Sequence, residues 1–139
     1  MEKMVVGFVF NEEKTHVLLI KKNRPQWQAG KINGMGGHIE KGEGAFEAVS
    51  RECAEEFGLS IPCKNWKSVA VLRGKDFFVH FFAAEADVGR ALQTTDEEPV
   101  LVALKDLSRC DSLIPNLHWL IPLSLENSIR PVEILEIYD

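Results

Sequence analysis

The chain has little of the cysteine chemistry that staples small extracellular domains. Its three cysteines, Cys53, Cys63 and Cys110, are odd in number and far apart, with no CxxC or Cys/His cluster. That pattern argues against both a disulfide framework and a structural zinc site, and it fits a reducing compartment. Long apolar runs are also missing. The N-terminal MEKMVVGFVF is too short an apolar stretch for a signal peptide, and nothing approaches the roughly 20 residues that cross a bilayer. A soluble, cytoplasmic protein with no membrane partner is expected. Positive charge is in deficit, with 16 Lys and Arg against 21 Asp and Glu, a net charge of −5 and a pI of about 5.4. Such a field repels polyphosphate backbones and gives no reason to expect a nucleic-acid groove. Any anionic ligand needs a local cation. Repeats, low-complexity segments and Pro/Gly/Ser-rich linkers are lacking as well. With 139 residues, 45% of them hydrophobic, the chain is expected to form one domain over 1–139 with its own core.

Residues 4–10 and 16–21 read as strands around the polar turn NEEKT. After the loop KNRPQWQAGK, INGMGGHIE reads as a short extended segment interrupted by glycines, which allow close backbone approach or positive φ. From Gly44 to Phe57 the period becomes helical, with Ala45, Val49, Cys53 and Phe57 every four residues and Phe46 beside them. Gly44 serves as N-cap and Gly58 as the left-handed stop. Runs at 68–72 and 77–84, joined by RGKD, predict a hairpin. A strand over 100–104, a helix within IPNLHWLIPLSLEN and a final edge strand in PVEILEIYD complete the reading. Strands on both sides of a central helix indicate an α/β or α+β fold with helices on both faces of a mixed sheet.

On that central helix Glu52, Glu55 and Glu56 fall within about a 100° arc, at the edge of the apolar face. Like charges so close raise one another's pKa unless a cation relieves them, and a hard ion such as Mg²⁺ favours oxygen ligands. The alternative is a solvated acidic face.

Gly37, Glu43, Arg51, Glu52, Glu55, Glu56 and Gly58, with Cys53 and Leu59 at the two apolar positions, keep every spacing of GX5EX7REUXEEXGU. Segment 37–59 thus resembles the Nudix box, with Cys53 standing where an aliphatic residue is usual. The resemblance implies an α/β/α sandwich and Mg²⁺-dependent hydrolysis of a nucleoside diphosphate linked to another moiety, with Mn²⁺ as the alternative ion. It further implies Glu55 and Glu56 as principal metal ligands, Glu52 as ligand or general base, and the Gly36 carbonyl as an added oxygen, with Gly37 beside the substrate. Arg51 and Glu43 would pair to hold the loop against the helix. The family's further acid corresponds to Asp96, Glu97 or Glu98 in TTDEEPV, of which we favour Glu97; a solvated acidic turn is the alternative.

LLIKKNRPQWQAGKINGMGGHIEKGE resembles the MutT-like branch that removes oxidised purine triphosphates such as 8-oxo-dGTP. By that resemblance Asn33 would read a base edge and Trp27 would wall the pocket, against a plain Asn-Gly turn and a packed loop aromatic. In the late helix Asn116 and Trp119 are the corresponding candidates. Pro115 and Asn116 stand where the animal enzymes of the branch have two acids, and Leu113 where they have a stacking tryptophan. Trp119, at helical spacing from Pro115 and Leu123, is expected in the core. The proline of ADP-ribose hydrolases, the tyrosine of diadenosine polyphosphate hydrolases and the LLTXRS of the coenzyme A branch are missing, which favours a nucleoside triphosphate cleaved to monophosphate and pyrophosphate. Another nucleoside diphosphate derivative, or a nucleotide-sensing domain without catalysis, is the competing reading. Of the four histidines only His38 adjoins the box, where it would touch phosphate; the others are expected at the surface or in packing. Lys21, Lys22 and Arg24 would steer the triphosphate or simply be solvated. The partner is a small nucleotide, and the assembly a monomer or homodimer.

Overall fold

The computed structural model of the chain describes residues 1–126 and 130–135. The first strand, β1 (Glu2–Phe10), begins ahead of its expected start and is followed by β2 (His16–Lys21), with Asn11 closing the intervening turn through its side chain onto Thr15 and His16. The extended segment expected next, interrupted by glycines, forms two short strands, β3 (Ile32–Asn33) and β4 (Met35–His38), on either side of Gly34. They separate because β3 pairs with β2 while β4 pairs with the N-terminal half of β1.

Helix α1 (Ala45–Phe57) has the expected bounds, with Gly44 as N-cap and Gly58 at φ 67° as its left-handed stop. The hairpin of β5 (Lys67–Arg73) and β6 (Phe77–Glu85) follows, then β7 (Glu98–Ala103), which starts earlier than expected because Glu98 and Pro99 already pair with Lys21 and Ile20. Helix α2 (Leu117–Ser124) starts after Pro115 and carries Pro122 inside it. The last strand, β8 (Val132–Leu135), lies at the sheet edge as expected; residues 136–139 and Asn127, also within the expected elements, fall outside the described residues.

The strands form one mixed sheet in the order β3-β2-β1-β6-β5-β8, with β4 on β1 and β7 on β2. β1–β6 and β5–β8 are parallel and the other pairs antiparallel. Strand alternation sends side chains to two cores, one on each face. Val5, Val9, Met35 and Phe82 meet Val49, Cys53 and Phe57 of α1. Phe8, Leu19 and Phe81 meet Leu117, Leu120 and Ile121 of α2. The result is the expected sheet between helices. Cys53 is fully buried, and burial pushes its thiol up to about 12, so it acts as a small hydrophobe.

Two apolar expectations are corrected. Trp119 is 47% exposed because the inward face of α2 is taken by Leu117, Leu120, Ile121 and Ser124. Phe46 is 41% exposed and only edges onto Phe82, 4.8 Å between ring centroids. Among the described residues no helix is long and apolar enough to cross a membrane.

Candidate active site

Strand β4 runs beside β1 so closely that a Cβ at Gly36 would lie 2.0 Å from the Val5 carbonyl oxygen. A Cβ at Gly37 would lie 2.4 Å from Glu52 Oε1. The two glycines thus let the strand approach β1 and let the Glu52 carboxylate settle on the strand. At the start of α1, Glu47 Oε1 accepts the Gly44 N–H at 3.0 Å, which satisfies one of the free N-terminal donors.

Arg51 is the hub of the loop and helix. Its guanidinium grips Glu43 through two hydrogen bonds, 2.7 Å from Nε and 3.0 Å from Nη2, and Nη2 also donates to the His38 carbonyl at 3.0 Å. The expected Arg51–Glu43 pair is therefore present. Nη1 additionally donates to Glu52 at 3.0 Å and to Glu55 at 3.1 Å. The hydrogen bond from Arg51 holds the Glu43 carboxyl below its usual range. Burial pushes Glu52, only 9% exposed, above its usual range in spite of Arg51.

Glu56 stands apart from that cation. Burial, then the charges of Glu97 and Glu52, raise its carboxyl, opposed by the charge of Lys22 and a hydrogen bond from Thr95. Thr95 Oγ1 donates to Glu56 Oε2 at 3.3 Å. Glu97 is 3% exposed and accepts from Lys22 Nζ at 3.1 Å and from the Asn23 N–H at 2.6 Å. Burial alone would raise its carboxyl, but these donors outweigh it and hold the group below its usual range. Asp96 is exposed and pairs with Arg24, and Glu98 is exposed at the start of β7. Lys22 and Arg24 are thus tied to the 96–97 loop, a latch between residues more than 70 apart that no local pattern announces.

Among the described residues, no three His, Cys, Asp or Glu side chains already converge into a metal cage. The donor chemistry nonetheless fits a hard divalent ion. Glu52 and Glu56 offer oxygen, both carboxyls are raised by burial and neighbouring charge, and a cation would relieve that excess. Mg²⁺ keeps several of its own waters, so an open set of carboxylates suffices.

Away from the acids, the half-buried Asn33 donates from Nδ2 to Gln28 Oε1 at 3.0 Å, and its Oδ1 accepts the Gly34 N–H at 2.8 Å. The plain Asn-Gly turn is therefore part of its role. The Ile32 N–H donates to the Ser112 carbonyl at 2.8 Å, and the Ile114 N–H donates to the Ile32 carbonyl at 2.9 Å. This pairing brings the segment leading to Asn116 alongside Asn33. Asn116 Oδ1 is buried and has no hydrogen-bond partner among the described residues. Trp27 is 64% exposed, so it is no packed loop aromatic. His38 stands near Glu2, 3.8 Å away, at the exposed end of β4. His16 and His80 bond Thr15 and Ser68, and His118 is exposed.

The family model of the NUDIX domain matches residues 1–120. Among solved structures, one from work on MutT of the psychrophilic fish pathogen Aliivibrio salmonicida and the mesophile Vibrio cholerae has a TM-score of 0.74 at 22% identity, covering 88% of this chain and 96% of that one. The mutator MutT protein from Bacillus halodurans gives 0.74 at 17% identity over 97% and 90%. A MutT/nudix family protein from Enterococcus faecalis gives 0.62 at 19% identity, over 73% of this chain and 42% of that one. At such identities the likeness is one of fold. A search of curated proteins finds no match.

Proposed function

This chain belongs to the Nudix family and is a hydrolase of phosphoric anhydride bonds, and from that premise we propose that it cleaves a nucleoside triphosphate to monophosphate and pyrophosphate with Mg²⁺. The observation that carries the reading is the pair Glu52 and Glu56: burial raises both, the charge of Glu52 adds to the rise at Glu56, and Arg51 relieves Glu52 only in part. Glu52, Glu55 and Glu56, with the Gly36 carbonyl, would hold the ion, and Glu97 adds charge beside Glu56. The bound ion supplies charge neutralisation of the diphosphate and a lower pKa for water.

The protein's own groups do the rest. Arg51 and Glu43 fix the loop so that Glu52 stays against Gly37. Water adds to phosphorus, the bridging P–O bond breaks, and Glu52 takes the proton of the attacking water. Pyrophosphate leaves.

The Asn116 acceptor supports a purine substrate, whose N–H groups can donate to it, and an oxidised purine adds one more donor at N7. A buried acceptor without a donor is costly, so a ligand that brings an N–H is favoured. Purine N7 is ordinarily an acceptor; oxidation at C8 makes it an N–H donor, as in 8-oxo-dGTP. Asn33 would read the base nearby, exchanging its Gln28 partner for the base edge. Trp27, exposed on the same short turn as Gln28, would wall the pocket.

The test is kcat/KM with Mg²⁺ across normal and oxidised dNTPs, ADP-ribose and dinucleoside polyphosphates. The expected ranking puts 8-oxo-dGTP first, followed by other purine triphosphates. ADP-ribose or a dinucleoside polyphosphate at the head would refute the substrate choice, and tight binding without turnover would refute catalysis.

A further inference from the structure

The loop of residues 92–97, which follows a short 3-10 turn at Val88–Arg90, is strapped across the last turn of α1. The Leu92 N–H donates to the Phe57 carbonyl at 2.9 Å, and Thr94 Oγ1 donates to the Glu55 carbonyl. Thr95 Oγ1 donates to Glu56 Oε2 at 3.3 Å while accepting the Glu97 N–H at 3.1 Å. The far side of the strap is fixed in turn. Lys22 and the Asn23 N–H hold Glu97, Asn23 Nδ2 donates to the Asp96 carbonyl at 2.8 Å, and Arg24 pairs with Asp96.

We infer that Thr95 is a positioning residue, one that fixes the Glu56 carboxylate for a divalent cation without neutralising it. The inference rests on the metal reading and goes beyond it, since Thr95 lies outside segment 37–59, which carries Glu52, Glu55 and Glu56.

Two observations separate Glu56 from its neighbours. Glu52 and Glu55 share the Arg51 guanidinium, so part of their charge is already balanced. Glu56 has a neutral hydroxyl as its hydrogen-bond partner among the described residues. A hydroxyl orients a carboxylate yet leaves its charge for a cation, whereas a guanidinium at the same place would compete for it.

Thr95 is suited to this. A hydroxyl has one proton to give, and here it goes to Glu56 while a lone pair receives Glu97. The β-branched side chain has few χ1 choices, and the strap on either side is pinned. Glu56 is therefore ordered before any ion arrives, and less side-chain freedom is lost on binding. Lys22, held on Glu97, acts on Glu56 through its charge, while the hydroxyl of Thr95 supplies the hydrogen bond.

The experiment compares wild type, Thr95→Val and Thr95→Ser. Mn²⁺ affinity is read by electron paramagnetic resonance of free Mn²⁺, alongside the Mg²⁺ concentration for half-maximal turnover and the Tm. Valine keeps the shape and removes the hydroxyl; serine keeps the hydroxyl. Thr95 is exposed, so both variants are expected to fold with a Tm close to wild type. Thr95→Val should weaken Mn²⁺ binding and raise the Mg²⁺ requirement, each by on the order of tenfold, with Thr95→Ser close to wild type. Thr95→Val binding Mn²⁺ as wild type does, or Thr95→Ser as weak as Thr95→Val, overturns the inference. Wild type without affinity for Mn²⁺ overturns instead the metal reading beneath it.

Discussion

At Gly37 the lack of a side chain is a condition for the position of Glu52. A Cβ there would meet Glu52 Oε1 at 2.4 Å, and the obstructing atom is the tip of a side chain that can swing away. Gly37→Ala should therefore cost little in stability and much in activity. We expect Tm to fall by only a few degrees and kcat/KM by on the order of tenfold or more, as for the loss of other groups that orient a metal ligand. Thermal unfolding beside steady-state kinetics separates the two effects; a variant with wild-type kcat/KM would show that Glu52 need not rest on Gly37. The acidic box was readable at this scale because its residues lie within one strand–loop–helix segment, where spacing alone fixes which side chains are neighbours. The partners of Glu97 were not. Lys22 and Asn23 come from the other end of the chain, and in sequence they look like any basic loop. Beyond its expected pairing with Glu43, Arg51 also reaches Glu52 and Glu55, so those two acids are partly relieved before any ion is considered.

The elements were legible in proportion to how locally they are determined. Helix α1 announces itself through its four-residue apolar period and the glycine at its end. Gly58 sits at φ 67° with nothing nearer than 3.8 Å to an added Cβ, so Gly58→Ala meets no clash and costs only the left-handed backbone. The expected loss is about 1 kcal/mol, measured by denaturant unfolding, with no loss beyond that. An unchanged midpoint would mean that another residue supplies the helix stop. The break between strands β3 and β4 was legible only as glycines, because its place is set by pairing with β2 on one side and β1 on the other. In α2 the spacing of Trp119 from Pro115 and Leu123 suggested the core. The helix lies rotated, so that Leu117, Leu120 and Ile121 fill that space and the indole stays outside. The direction from which a short apolar helix is covered is a tertiary fact that its own periodicity does not carry.

Across the whole molecule, a sheet with one helix and one core on each face carries the acids of α1, the strap of 92–97 and the loop of 22–31 to a single end. The net charge of −5 would repel a triphosphate, yet the basic residues Lys22 and Arg24 near that end are already paired with Glu97 and Asp96. On the proposed reading a bound cation would let the anionic substrate approach, and the same cation would make Glu52 and Glu56 tolerable side by side. Glu56→Gln removes one of those charges while keeping shape and the Thr95 contact. The decisive measurement is pyrophosphate release from a purine nucleoside triphosphate as Mg²⁺ is raised from none into the millimolar range, for wild type and Glu56→Gln side by side. The account predicts a saturable rise for wild type and turnover lower by at least about a hundredfold for the variant at every Mg²⁺ concentration; a Glu56→Gln enzyme that saturates with Mg²⁺ and matches the wild-type kcat would contradict it.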